Sequence, residues 1–392
     1  MNFDIIIIGA GVFGTTTAIE LSRRGYHTAL LDPGPLPHPL AASTDISKVI
    51  RMEYGTDEQY MEMVEQCMPI WRAWNKVFDR PLFHEVGVAM FTQNVMAPGG
   101  FEYESFKTLN KRGHKPERLN ADEIHTRFPA WKHGRYVDGF YHAIGGFAES
   151  GQVVTQLVKW AKNEGVHLEG ECKIDEILEQ KGRITGVKST IGQIFNAKTV
   201  VVAAGAWTPV LLPELGPMMR VSGHPVFHLK PQNPGLFQFS NFPVFTADVA
   251  RTGWYGFPVH PVDGVIKVSN HGIGLTIHPE NDAREVTADD EAKLRNYLKT
   301  SFPGLANAPV ASTRRCLYCD TLDEHFLIDH HPEKQGLVVA SGGSGHGFKF
   351  APILGSLIAD CIESKKNPWL PKFQWRNLQP GTKGEEAARF HG

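Results

Sequence analysis

Four groups of residues in this sequence have types and spacings that could do chemistry. In "SGGSGHGFKF", residues 341–350, four glycines and His346 surround Lys349 directly after the apolar run "GLVVA". Bare backbone of this kind lets main-chain N–H groups approach a planar ring or an anion, and Lys349 would add a fixed positive charge beside it. The ordinary alternative is a solvated lysine at a helix start, although Phe348 and Phe350 flank it. Lys267 sits among Val265, Ile266 and Val268, an apolar setting for an ammonium, with an edge strand facing water as the alternative. Lys48 and Arg51 in "STDISKVIR" could act on an anion or form a surface pair. In "TRRCLYCDTLDEHF" the guanidinium groups of Arg314 and Arg315 would favour the thiolate of Cys316, making it a nucleophile or an attachment point. A buried structural cysteine, a redox pair with Cys319 and half a zinc site are the other readings; no second CxxC or HxxxH supports zinc.

These groups need elements to hold them. The N-terminus, "FDIIIIGAGVFGTTTAIELSRRGYHTALLD", reads as strand, glycine turn, helix and strand, with Ala18, Ile19 and Leu21 on the inner helix face and Gly25 at its end. Gly9, Gly11 and Gly14 follow GxGxxG, and Asp32 ends the second strand where a ribose hydroxyl needs a carboxylate. That fingerprint predicts a dinucleotide with its phosphates at the helix N-terminus, and does not separate NAD from FAD. A helix is expected from about Asp57 to Asn75, a capped helix within 149–164 and a last helix over about 351–363. The stretch from Arg80 to Trp131 gives weak signals. A β-meander is predicted to end in a buried strand, Thr199 to Ala204, and the alternation between Pro209 and about Arg314 predicts an antiparallel sheet with one packed face. "QPGTKGEEAARFHG" reads as a flexible tail.

Length and composition bound the possibilities. At 392 residues the chain suggests two intertwined units, and 40 Lys plus Arg against 42 Asp plus Glu points to no nucleic-acid partner. The longest wholly aliphatic run, Ile5 to Ile8, is too short for a membrane span, and no signal peptide or C-terminal peroxisomal address is read, so a cytoplasmic protein is expected. Five scattered cysteines argue against a disulfide framework. No metal is expected, and neither His330 nor His331 is given a role. His271 alone reads more readily as a hydrogen-bonded structural histidine than as a base.

Four ordered blocks then resemble one family: "IIIIGAGVFGTTTAIELSRRG", "AASTDISKVIRMEYG", "CLYCDTLDEHFLIDHHP" and "GGSGHGFKFAPILG". The sequence is similar to the FAD-dependent amine oxidases that include the monomeric sarcosine, N-methyltryptophan, pipecolate and fructosyl amino acid oxidases. The resemblance implies an α/β (α+β) fold of two domains: a GxGxxG FAD-binding Rossmann-like domain (1–80, 145–210 and 315–375) interleaved with an antiparallel-sheet substrate-binding domain (81–144 and 211–314), then a flexible tail over 376–392. It implies FAD contacts from Gly9, Gly11, Val12, Phe13, Gly14, Asp32, Ser43, Thr44, Lys48, Ala204, Gly205, Trp207, Gly343, Gly345, His346, Gly347, Phe348 and Lys349, with Cys316 bonded covalently to the flavin. On the substrate side it implies a carboxylate clamp of Lys349 and Arg51, Lys267 promoting reaction with oxygen, and Lys48, Tyr255, Tyr318 and His271 nearby.

The expected reaction is oxidation of the C–N bond of an N-substituted α-amino acid, followed by imine hydrolysis and H₂O₂ formation. Lys48, Arg51, Lys267 and Lys349 together should lower the substrate amine's pKa. Lys48 stands where sarcosine oxidases carry an arginine, and Ser43 and Thr44 where they carry histidines. The N-substituent is therefore left open between fructosyl and N-methyl types. A flavin dehydrogenase acting on pipecolate or opine-type amino acids with another electron acceptor is the alternative. A plain NAD enzyme and a non-catalytic FAD-binding protein leave the C-terminal blocks or the cations unexplained. The partners expected are a small amine substrate and O₂, with no nucleic acid, no membrane and a monomeric chain.

Overall fold

A computed structural model describes residues 1–392. Its first layer is a six-stranded sheet ordered Leu327–His330, Leu337–Ser341, Thr199–Val202, Ile5–Ile8, Thr28–Leu31 and His167–Glu169. All pairs are parallel except the first. Ile5–Ile8 is apolar at every position because both sheet faces are covered, Ile5 and Ile7 by helices and Ile6 and Ile8 by the three-stranded sheet that carries Ile184, Val187 and Phe195, and all four side chains are buried. Each such side chain contributes roughly 1.5–3 kcal/mol when fully removed from water. Val12–Arg23 packs against Ala351–Ile362 and Ser150–Asn163, joining the first and last thirds of the chain in one core.

In the second sheet the strand Met219–Leu229 lies next to one edge, paired over its length with Val310–Thr321 and over part of it with Ile266–Asn270. The sheet is mixed, because Val88–Thr92 pairs in parallel with Val244–Ala247. Val310–Thr321 belongs wholly to this sheet and runs across the division expected at 314/315. The weakly patterned stretch 80–131 contributes Val88–Thr92 and the helix Phe101–Lys111. The predicted meander forms its own three-stranded sheet, and Thr199–Val202 leaves it for the parallel layer. The second helix spans Glu58–Val77, capped by the Asp57 side chain on the Tyr60 amide at 3.1 Å.

The expected flexible tail is instead built into the protein. Arg389, wholly buried, donates to Asp320 at 3.0 Å and to Glu324 at 2.9 Å, and the Phe390 amide donates to the His271 carbonyl at 3.0 Å. A polar composition misled here because the charges are paired inside, where composition cannot show partners. No helix is long and apolar enough to cross a membrane.

Candidate active site

A cavity of about 360 Å³ runs between the glycine turn of the first strand and the 341–348 loop. Gly9, Gly11, Val12, Phe13, Asp32, Ser43, Lys48, Ala204, Gly205, Trp207, Gly343, Gly345, Gly347 and Phe348 all line it. Gly14 does not; a Cβ there would lie 1.9 Å from the Gly9 carbonyl oxygen, so this glycine lets helix and strand pack. Asp32 accepts the Ala10 amide at 2.7 Å and the Gly34 amide at 3.1 Å, which fixes the turn. Burial raises its carboxyl above the usual range against those two bonds. The Val12 amide at the helix start donates to Ser43 at 3.3 Å. Thr44 turns into its own loop, donating to the His38 carbonyl at 2.7 Å, and does not line the cavity. A long cleft bounded by a glycine cradle, a helix N-terminus and a carboxylate at the strand end fits FAD.

The glycines of the second loop have a different reason from the one expected. A Cβ on Gly345 (φ +76°) would lie 2.4 Å from the Tyr318 ring, and one on Gly347 would lie 2.9 Å from the Phe13 ring. The bare backbone makes room for the protein's own aromatic walls. His346 is held by the Tyr54 hydroxyl at 3.1 Å and the Glu324 carbonyl at 3.0 Å, and burial pushes its pKa well down, so it is a neutral structural ring.

Cys316 is buried and is not part of that cavity's lining, whereas Cys319 is. Its neighbouring cation differs from the expected one. Arg315 lies on the opposite face of the strand, donating to the Glu285 carbonyl and Asp290, and Arg314 binds the Thr44 and Ala41 carbonyls. Lys48 instead places its Nζ 3.7 Å from Cys316 Sγ. Burial lowers the Lys48 pKa, but Cys316 and Asp45 more than offset this and raise it. Strand alternation, which puts adjacent residues on opposite faces, explains the miss.

Lys267 is 1 % exposed on a strand paired on both sides, which removes the edge-strand reading. Its ammonium donates to Asp45 Oδ2 at 2.5 Å and to the Ser47 carbonyl at 2.6 Å. Burial nevertheless pushes its pKa down to about 8. Burial also raises Asp45, yet Lys267 and His228 hold that carboxyl well below the ordinary range.

A second, compact cavity of about 60 Å³ adjoins the first, sharing Lys48, Tyr318, Gly345 and Phe348 with it. Arg51, Thr246, Tyr255, His271, His346 and Lys349 complete its polar lining. Lys349 is buried, so it is not a solvated helix-start residue; its ammonium donates to the Tyr54 hydroxyl at 2.8 Å and to the His346 carbonyl at 3.1 Å. Burial and then Arg51 press its pKa well below the usual lysine value. The Arg51 guanidinium rests 5.1 Å from the Tyr54 ring centroid and 5.6 Å from that of Phe101. Its Nη2 donates to Glu386 at 3.3 Å, while its buried Nη1 has no partner. Glu386 also binds His271 Nε2.

The expected four-cation cluster is therefore half compensated: Asp45 pairs Lys267, Glu386 pairs Arg51, and Lys48 and Lys349 have no carboxylate partner. Sequence reasoning missed Glu386, Asp45 and Tyr54. Asp45 was visible as a carboxylate just before Lys48; Glu386 gave no signal, because its partners lie 335 and 115 residues away. No group of three His, Cys, Asp or Glu side chains is placed to hold a metal ion.

Comparison with known proteins agrees with this geometry. The chain is 27% identical over 375 residues to monomeric sarcosine oxidase of Bacillus sp. (strain B-0618), covering 93% of each chain. It is 30% identical over 368 residues to human peroxisomal sarcosine oxidase, covering 91% of each. Among solved structures, fructosyl amine:oxygen oxidoreductase (amadoriase I) of Aspergillus fumigatus superposes with a TM-score of 0.80 at 25% identity, over 96% of this chain and 90% of that one. The profile of the family described as DAO, FAD dependent oxidoreductase, matches residues 4–361, and the chain belongs to that family.

Proposed function

We propose that this protein is an FAD-dependent oxidase of a small N-substituted α-amino acid, releasing H₂O₂. One observation carries the reading: Arg51 Nη1, buried without a partner, and Lys349 line one compact cavity against the glycine-bounded cleft. That pair suits a substrate carboxylate, held by charge-assisted bonds with the amine placed beside the cleft. Arg51 and Lys349 orient the substrate; Lys48 and Lys349, without carboxylate partners, disfavour its protonated amine. Gly9, Gly11, Asp32 and Ser43 hold the dinucleotide, and Cys316 Sγ, with the Lys48 ammonium beside it, is the attachment atom. FAD, when bound, would supply the acceptor for the hydride lost from the carbon beside the amine nitrogen, leaving a C=N bond for water to hydrolyse, with O₂ as the final acceptor of the two electrons. On that side Lys267, set by Asp45, supplies the cation that stabilises reduced oxygen. Tyr255, Tyr318 and His271 wall the site. The compactness of the cavity favours an N-methyl or similarly small substituent over a sugar.

The test is a panel of sarcosine, N-methyl amino acids, pipecolate, opines and fructosyl amino acids, read as peroxide per substrate consumed. Turnover of small N-alkyl amino acids with one peroxide each is expected. Turnover only with an artificial electron acceptor, without peroxide, selects a dehydrogenase instead.

A further inference from the structure

The C-terminal segment brings a carboxylate into a site whose own substrate carries one. Glu386 is 4 % exposed, with Oε1 at 3.3 Å from Arg51 Nη2 and Oε2 on His271 Nε2. Two roles are open to such a residue: it could hold Arg51 in place, or it could act as a standing rival to an incoming carboxylate. Arg51 does not need holding, because Tyr54 and Phe101 already sandwich its guanidinium. Nor is Glu386 built to withdraw. Its amide donates to Glu324 Oε2 at 3.1 Å, Glu385 is tied to the Asp323 carbonyl at 3.1 Å, and Arg389 locks the segment to Asp320 and Glu324. Ala388 of the same segment lines the compact cavity.

Resting on the reading of Arg51 and Lys349 as the carboxylate clamp, we propose that Glu386 is a specificity-determining residue: a resident carboxylate that permanently occupies one face of Arg51 and weakens the site for carboxylate ligands relative to uncharged ones. A substrate carboxylate then meets only Arg51 Nη1 and Lys349 Nζ, and does so beside a like charge in a cavity that excludes water. Like charges that close repel strongly where the local dielectric is low. The consequence is an enzyme whose clamp orients a single carboxylate without binding it tightly, and whose selectivity for amino acids over simple secondary amines is held in check.

The experiment uses the flavin-containing enzyme and Glu386→Gln, which keeps the side-chain shape and an oxygen to accept from Arg51 while removing the charge; its amide N–H then donates to His271 Nε2, where the carboxylate accepts. (Methylthio)acetate, a thioether carboxylate that cannot be oxidised as an amine, and neutral (methylthio)acetamide are titrated against each protein, with binding read as the change in flavin absorbance. The variant should bind the carboxylate about tenfold or more tightly and the amide unchanged. KM for carboxylate substrates should fall with it, while KM for a secondary amine lacking a carboxylate stays put. Equal or weaker carboxylate binding by the variant overturns the role of Glu386 and leaves the clamp intact. A carboxylate that perturbs neither protein overturns the clamp reading and this one together. Should the glutamine variant not fold, Glu386→Ala is read the same way, with flavin content as the control.

Discussion

The ammonium of Lys267 and the carboxylate of Asp45 meet at 2.5 Å inside the second sheet, both shielded from water. Burial brings Lys267 down to about 8, so it loses its proton across an ordinary assay range. Because its folded pKa lies below its unfolded value of about 10.4, the unfolded chain binds more protons between the two, and this group's contribution to stability rises with pH over about 8 to 10.4. Its chemical use runs the other way, since the cation is present below about 8. The rate of reoxidation by O₂, followed by stopped-flow absorbance, should fall as pH rises through about 8. Lys267→Met should react slowly with O₂ at every pH, with that step lost from its profile.

Lys349→Met should lower kcat/KM by ~10²–10³ while flavin content and melting temperature hold or rise. The side chain is buried beside Arg51, and its depressed pKa marks a cation kept at a cost to stability. Steady-state kinetics with thermal melting would separate the two effects; wild-type turnover in the variant would falsify the clamp.

Acid precipitation of the wild type should carry the yellow chromophore down with the protein, whereas Cys316→Ser should release it to the supernatant. Peptide mass spectrometry should place the adduct on Cys316 and leave Cys319 unmodified. The contrast is informative because Cys319 lies on the other strand face, packed against Met219 Sδ at 3.9 Å and Ser341 Oγ at 3.5 Å.

Gly14→Ala should cost roughly 1–3 kcal/mol, or prevent folding, because its Cβ has nowhere to go beside the Gly9 carbonyl. Flavin content per purified chain should fall in step, since the same contact sets the turn around Gly9 and Gly11. Chemical denaturation of flavin-free protein checks the first effect and absorbance the second.

Much of this architecture was legible in the residues. The glycine turn, the strands beside it and the last helix follow from local apolar pattern and backbone freedom, and these stand as read. Lys349 and Lys267 could be named because a cation next to aromatics or in an aliphatic strand is costly without a purpose, whereas Lys48 and Arg51 read equally as a surface pair without the family resemblance. What local pattern cannot carry is which charges neutralise each other across the fold. Arg315 looked like the partner of Cys316 because it is adjacent in sequence, yet alternation sends it to Asp290. Glu386 looked like a solvated tail residue, although its partners are Arg51 and His271. The loop glycines read as bare backbone admitting a ligand's planar ring, whereas the groups a Cβ would meet at Gly345 and Gly347 are the rings of Tyr318 and Phe13.

The packing of residues 385–390 against Asp320, Glu324 and His271 makes one wall of the reaction chamber depend on a stretch more than sixty residues along the chain from the strand it closes on. A chain cut ahead of residue 386 loses that wall and also leaves Asp320 and Glu324 buried without Arg389. Cleavage in this segment thus strikes the chamber and the stability of the strand beneath it together.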